Sequence, residues 1–321
     1  MNKYNSVIVT GSIGYDVIMD FPGKFVDYLQ KDKLHQINVS FVVNNLDKQF
    51  GGTATNIAYN LSLVTSKKTK IYGSVGKDGG ELINFFKKNL INTTGILKDK
   101  KIYSSTGSVI TDNKDNQIWG YCYGASIYGK NIKLLNFGKS IVVISANHPE
   151  SFLNFQKQSI KNKWSYMHDC GMTLSWIKKE DLLRGIKNCT WLVGNDYEIA
   201  LMQKMLNLSI NQLIEFGIKV ITTLGEKGVM YQSKVGKSVL SGAEGSIKSI
   251  KVNAYKVKKV IDPTGAGDAW RGGFLAGILN GKSEVDCLKL GNALASFAVE
   301  KYGTVNHKPK IKEIERRIKL I

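Results

Sequence analysis

Apolar and polar positions along the chain change period again and again, and the changes divide it into alternating strands and helices. Ser6–Ile13 is a β-rich run, and a second apolar stretch, Val17–Phe21, follows Asp16 as its hairpin partner. Ile37–Val43 alternates like a strand, after which Gly51-Gly52 opens a helical pattern from Thr53 to about Val64. A strand is predicted near Ile71–Val75 and a helix near Gly80–Asn89. Two β-like runs follow, Tyr103–Thr111 and Gln117–Tyr123, joined by the polar turn Asp112–Asn116. Strands near Ile141–Ser145, Ser165–Met167, Thr190–Val193 and Lys219–Thr223 then alternate with helical patterns.

Such alternation predicts an α/β fold in three layers, a mostly parallel sheet with helices on both faces. The early hairpin and the two later β-like runs form a small sheet apart from it. The reading is one domain, 1–321, with the small sheet built from segments 14–22, 36–46 and 103–124. The tail, Lys308–Ile321, is a charged amphipathic helix packing by an Ile311, Ile314, Ile318 stripe.

Composition narrows the class. With 321 residues, 43% of them hydrophobic, the chain can fill a large core. Cys122, Cys170, Cys189 and Cys287 form no C-x-x-C pair, so neither zinc nor a disulfide framework is indicated, and a reducing cytoplasm fits. No apolar run approaches the roughly 20 residues that span a bilayer, and Asp16 and Asp20 interrupt the first apolar stretch. A membrane partner is not expected. The formal charge of +19 raises nucleic acid as a partner, yet only Arg184, Arg271, Arg316 and Arg317 are arginines. The remaining basic residues are scattered lysines without paired guanidinium forks, which favours a solvated surface over a nucleic-acid-associating protein, so no nucleic-acid partner is expected. That charge still favours encounter with an anionic nucleotide.

The chemistry lies in four short motifs. Asp262-Pro263-Thr264-Gly265-Ala266-Gly267-Asp268 places a carboxylate and small residues at the mouth of a helix, where backbone amides can converge on an anion. A carboxylate fixed there can take a proton from a hydroxyl as phosphate arrives, so the motif points to phosphoryl transfer. The Gly272-Gly273 pair on the same helix lets it approach the sheet closely. Asn195 and Glu198 follow a strand at helix spacing, suited to a capping box or to oxygen ligation of a water-rich magnesium ion. Thr223-x-Gly225 leaves a strand at the edge where nucleotide phosphates gather. Asp16, with Gly52 and Asn56, forms a polar cluster able to grip vicinal hydroxyls. Gly11-Ser12-Ile13-Gly14 does not fit the dinucleotide fingerprint, and no Walker A motif occurs.

In this order, Gly51-Gly52 with Asn56, Asn195-x-x-Glu198, Thr223-x-Gly225 and Asp262 to Asp268 resemble the ribokinase-like (PfkB) carbohydrate and nucleoside kinases over nearly the whole chain. Gly11 to Asp16, Asp20 to Phe25, Lys33-Leu34-His35, Val39-Ser40-Phe41 and Asp115 to Ile118 look like bacterial adenosine kinases within that family. The resemblance implies ATP-dependent phosphorylation of a nucleoside 5′-hydroxyl, adenosine being the preferred acceptor and a sugar such as ribose or fructose the alternative. It implies Asp268 as base and the amides of Gly265, Ala266 and Gly267 as anion hole. Ser12, Asp16, Ser40, Gly52, Asn56 and Tyr121 would hold the acceptor. Asn195, Thr223, Gly225 and Thr264 would hold the nucleotide, and Asn195 and Glu198 the Mg2+. Asp262 and the Tyr302-Gly303-Thr304 loop would border a K+ site, and the small sheet would be a lid able to pair two copies as a homodimer. Two segments depart from the pattern. Thr106-Gly107-Ser108 stands where an aromatic commonly stacks on the base, leaving Tyr121 for that role, and His168 to Thr173 lacks the Pro-Ser-Gln-Gln of similar kinases.

Overall fold

The computed structural model describes residues 4–29, 36, 38–65, 68–114, 116–135, 139–235 and 246–321. Its larger sheet has nine strands. Five of them form the middle: β1 (Ser6–Thr10), β4 (Lys68–Val75), β8 (Ser140–Ile144), β9 (Tyr166–Asp169) and β10 (Trp191–Asn195). Outward lie β5 (Asn92–Lys98) on one side and β11 (Lys219–Thr223), β12 (Val229–Lys234) and β13 (Ile247–Val252) on the other. The order is β13-β12-β11-β10-β9-β8-β1-β4-β5, parallel except for the β12 and β13 edge.

Continuous apolar runs in the middle strands reflect burial on both faces. Successive residues feed opposite cores. Val7 and Val9 of β1 and Ile141 and Val143 of β8 face one apolar cluster, whereas Ile8, Val142 and Ile144 face the other. The first cluster is closed by α1 (Thr53–Ser62), α2 (Gly80–Lys88), α7 (Ala266–Leu279) and α8 (Glu284–Ala298). The second is closed by α3 (Pro149–Lys161), α4 (Lys179–Asn188), α5 (Asp196–Leu206) and α6 (Ile210–Ile214). The three-layer expectation holds.

The small sheet has the order β3-β2-β6-β7, from β2 (Gly14–Asp20), β3 (Asn45–Gly51), β6 (Ser105–Thr111) and β7 (Gln117–Cys122). Two expectations are corrected here. Val17–Phe21 is no hairpin partner of β1, because β2 leaves that sheet and pairs antiparallel with β3 and parallel with β6. The strand expected at Ile37–Val43, within segment 36–46, instead runs from Asn45 to Gly51; residues 38–43 are irregular, and Ile37 lies outside the described residues. Phe41 explains the shift: its ring packs on Phe21, Phe25 and Tyr28 with centroids 4.8, 5.1 and 5.9 Å away, so its burial belongs to an aromatic cluster and not to a strand face. Lys33-Leu34-His35 and Asp115 also lie outside the described residues. Strand β5 carries a polar Asn-Thr-Thr start and half-buried positions, so its sequence gave no clear alternation.

The Gly272-Gly273 pair does bring α7 close to its neighbours, but these are helices and not the sheet. A Cβ on Gly272 would meet Asn60 and Leu61 of α1 at 2.6 and 2.8 Å, and one on Gly273 would meet the Leu290 carbonyl of α8 at 2.6 Å. In the tail, α9 (Ile311–Lys319) buries Ile314 and packs Ile318 on the core, whereas Ile311 is exposed. Arg317 does the remaining anchoring, through Ser296 at 2.7 Å and Glu300 at 2.5 Å. Among the described residues, no helix is long and apolar enough to cross a membrane.

Candidate active site

Asp268 lies in the first turn of α7, at the C-terminal edge of the parallel strands where open α/β sheets bind ligands. Its carboxylate accepts a hydrogen bond from Asn56 Nδ2 at 2.9 Å. Asn56 is oriented in turn by Thr304, whose hydroxyl donates to Asn56 Oδ1 at 2.8 Å and lies 3.0 Å from the Phe50 carbonyl. Thr304 also packs against Gly265, the residue that starts α7 at φ +75°. One threonine thus fixes both the acid's partner and the helix mouth. Its place in the Tyr302-Gly303-Thr304 loop was visible in sequence, but this role was not.

The helix mouth refines the anion-hole expectation. The Ala266 amide is already bonded to the Pro263 carbonyl at 3.2 Å. Among the described residues, the amides of Gly265, Gly267 and Asp268 have no such acceptor, so these donors remain for an anion, with the helix dipole behind them. Thr264 is exposed, and its amide bonds to Asp262 Oδ1 at 2.8 Å. Asp262 Oδ2 accepts from the Gly303 amide at 3.0 Å, so this carboxylate ties the turn to the Thr304 loop.

On one side of Asp268 opens a cleft of about 1000 Å³, whose walls include Asp169, Asn195, Thr223, Gly225, Asp268 and Arg271. Asn195 and Glu198 form a complete capping box: Asn195 Oδ1 accepts from the Glu198 amide at 2.7 Å, and Glu198 Oε2 accepts from the Asn195 amide at 2.8 Å. Each is committed by one oxygen to the start of α5. No group of three or more His, Cys, Asp or Glu among the described residues could enclose a metal ion. Glu198 Oε1 and the second lone pair of Asn195 Oδ1 fit a magnesium ion that keeps most of its waters. One wall of the cleft forms no recognisable motif in the sequence: Ala254 to Val260 with Lys256, Lys258 and Lys259, and Asn292, Ala295, Ser296 and Val299 from the α8 side. The basic run before Asp262 was its signal.

On the other side lies the small sheet. Gln49, Asp16, Gly107 and Tyr121 are cross-strand neighbours in a single row. Gly51 leaves room for the Asp16 carboxylate, which a Cβ there would strike, and Gly52 turns into α1 at φ +91° against the Ser12 carbonyl. A Cβ on Gly107 would stand 3.0 Å from Asp16 Oδ1 and 3.3 Å from the Trp119 ring, so a glycine here opens a gap between carboxylate and indole. Trp119 was not singled out in sequence.

Two expected acceptor residues are placed differently. Ser12 is buried, and its Oγ caps α1 by accepting from the Thr53 amide at 3.1 Å, although the Tyr121 hydroxyl faces it. Ser40 is exposed in the irregular stretch beside Phe41.

Electrostatics single out two acids. Burial, reinforced by Asp169 and Asp16 and opposed by Arg271 and the Asn56 hydrogen bond, pushes the Asp268 carboxyl up to about 7. Burial and then Asp262 push Asp16 up to about 6. A carboxyl poised near neutrality at a helix mouth lined with free amides is suited to accept a proton from an alcohol.

Residues 19–311 match the family model for pfkB family carbohydrate kinases. The chain belongs to the pfkB kinase family. Its members are phosphotransferases acting on hydroxyl groups, and so is this chain. A nucleoside kinase of Methanocaldococcus jannaschii is 30% identical over 297 residues, covering 91% of this chain and 93% of the relative. The nucleoside kinase of Burkholderia thailandensis, solved in complex with inosine, superposes with a TM-score of 0.85 at 25% identity, covering 98% of this chain and 96% of that one. A ribokinase of Lactococcus lactis is 24% identical, covering 84% of this chain and 85% of its own length. This pfkB kinase therefore has relatives acting on both classes of acceptor.

Proposed function

We propose that this pfkB kinase phosphorylates the 5′-hydroxyl of a nucleoside, with ATP as donor and adenosine as preferred acceptor. The observation that carries the reading is the position of Asp268, bonded to Asn56 and standing between the nucleotide-sized cleft and the small sheet. The similarity to the two nucleoside kinases favours a nucleoside over a free sugar. So does the gap at Gly107 beside Trp119 and Tyr121, which suits a base stacked on an aromatic ring.

In this reading the Asp268 carboxylate draws the proton from the 5′-hydroxyl as the oxygen attacks the terminal phosphorus, and the bond from that phosphorus to the β,γ-bridging oxygen breaks to release ADP. The amides of Gly265, Gly267 and Asp268 take up charge developing on the transferred group. Asp16 grips the ribose diol, Gly52 brings the backbone close to it, and Asn56 keeps the base aimed. Thr223, Gly225 and the residues around Thr264 border the donor phosphates. Asn195 and Glu198 would hold Mg2+ through its waters, and the ion would supply positive charge beside the donor phosphates. The small sheet acts as a lid that excludes water, the competing acceptor.

Because Asp268 must be ionised to act and its carboxyl is held near 7, kcat/KM should fall as pH drops below about 7, and more steeply below about 6, where Asp16 also takes up a proton. A pH profile between 5 and 9 measures this, and a flat profile down to pH 5 would contradict Asp268 as the base. The substrate class is tested by ADP release with adenosine, inosine, cytidine, ribose and fructose in parallel. Adenosine should give the highest kcat/KM. Turnover of ribose or fructose with none of any nucleoside would transfer the assignment to the sugar kinases.

A further inference from the structure

Arg271 lies three residues after Asp268 on α7, so the two side chains share a helix face. It is buried, and its Nη2 is clamped by Asp169 Oδ1 at 2.5 Å, with both partners less than a tenth exposed. Its Nη1 stands 2.8 Å from where a Cβ on Gly267 would be, directly behind the helix mouth, and its Nε has no hydrogen-bond partner among the described residues. Both members of the pair line the cleft that Asp268 faces. A buried ion pair is costly to desolvate and contributes little net stability, so its retention against the reacting groups calls for another explanation.

We propose that Arg271, held by Asp169, is a positioning residue that sets the charge state of Asp268 and fixes a cation behind the phosphate-binding amides. The inference rests on the reading of Asp268 as the base.

The surrounding charges give the device its sign. Among the described residues facing Asp268, Arg271 is the cation, on its own helix; Asp169 from β9 and Asp16 from β2 are anions, and Asn56 from α1 donates a neutral hydrogen bond. Glu198 from α5 faces the ion pair. Burial works against the guanidinium charge, but Asp169, Asp268 and Glu198 outweigh it and hold the group above its usual value. Arg271 therefore stays positive throughout catalysis, while Asp169 limits how far that charge stabilises ionised Asp268. Removing the cation should make Asp268 harder to ionise, and neutralising Asp169 should make it easier. An ion pair too far from the base to act on it would move neither limb.

The test is the acidic limb of kcat/KM for adenosine at saturating ATP in wild type, Arg271→Met, Arg271→Lys, Asp169→Asn and the Asp169→Asn/Arg271→Met double variant, each checked for a cooperative thermal transition. The limb should move up by about one pH unit or more in Arg271→Met and down in Asp169→Asn. It should lie near the wild-type value in the double variant and in Arg271→Lys. Should Arg271→Met fail to fold, the double variant, which removes both charges of the pair together, still reports loss of the cation as a roughly 10- to 100-fold lower plateau rate. Folded variants whose limbs stay put, or move in the same direction, overturn the inference. Asp268→Asn separates the two failures: an inactive Asp268→Asn with unmoved limbs removes this inference alone, whereas an active one removes the reading of the site as well.

Discussion

Asp268→Asn should lower kcat by about 10²- to 10⁴-fold at saturating ATP and nucleoside, the range that loss of a positioned general base produces. Asparagine keeps the shape and can still pair with Asn56, so the loss should fall on kcat and leave both KM values within a few-fold. Stability gives an independent sign. The unfolded carboxyl ionises near 4, whereas the folded one is held near 7. The folded state therefore holds the extra proton between those values. The stability this gives is complete below about pH 4 and is lost as pH rises through 7. Asp268→Asn should remove that dependence and melt higher than wild type at pH 8, with a smaller difference at pH 5. A variant that loses activity only by unfolding would show the opposite order.

Gly265→Ala should be the next most damaging change. Gly265 holds φ +75°, and an added Cβ would lie 2.9 Å from Thr304. Alanine pays for the left-handed backbone by roughly 1 kcal/mol, and the contact must be relieved by moving Thr304 or the helix mouth. Either movement displaces the Gly267 and Asp268 amides or releases Asn56 from Thr304, so kcat should fall by about 10²-fold, as when one oxyanion donor is lost. Steady-state rates and thermal melts at pH 7.5 measure both effects. A folded Gly265→Ala with kcat within threefold of wild type would show that these amides do not carry the transition-state charge.

The parallel core was legible because its strands are buried on both faces, and runs such as Ser-Val-Ile-Val-Thr in β1 admit few other readings. The small sheet was legible only in part. Strand β3 reads Asn-Leu-Asp-Lys-Gln-Phe-Gly, an exposed edge with no alternation to detect, while the more apolar stretch before it is spent on the aromatic cluster around Phe41. Asp268 stood out through its flanking glycines, which have a local steric reason. Residues acting across the fold left no local mark. Thr304, 248 positions from Asn56, and Asp169, 102 positions from Arg271, acquire their partners only when α7, α1 and the central strands meet. Ser12 shows the converse, since a serine at a plausible ligand edge is used to cap α1.

The most direct test is a crystal structure of the complex with adenosine, Mg2+ and a non-hydrolysable ATP analogue. The expected result has the ribose 5′-oxygen within hydrogen-bond distance of the Asp268 carboxylate and in line with the terminal phosphorus, whose oxygens meet the Gly265, Gly267 and Asp268 amides. A nucleoside bound with its 5′-hydroxyl turned from Asp268, or a terminal phosphate held elsewhere in the cleft, would contradict it.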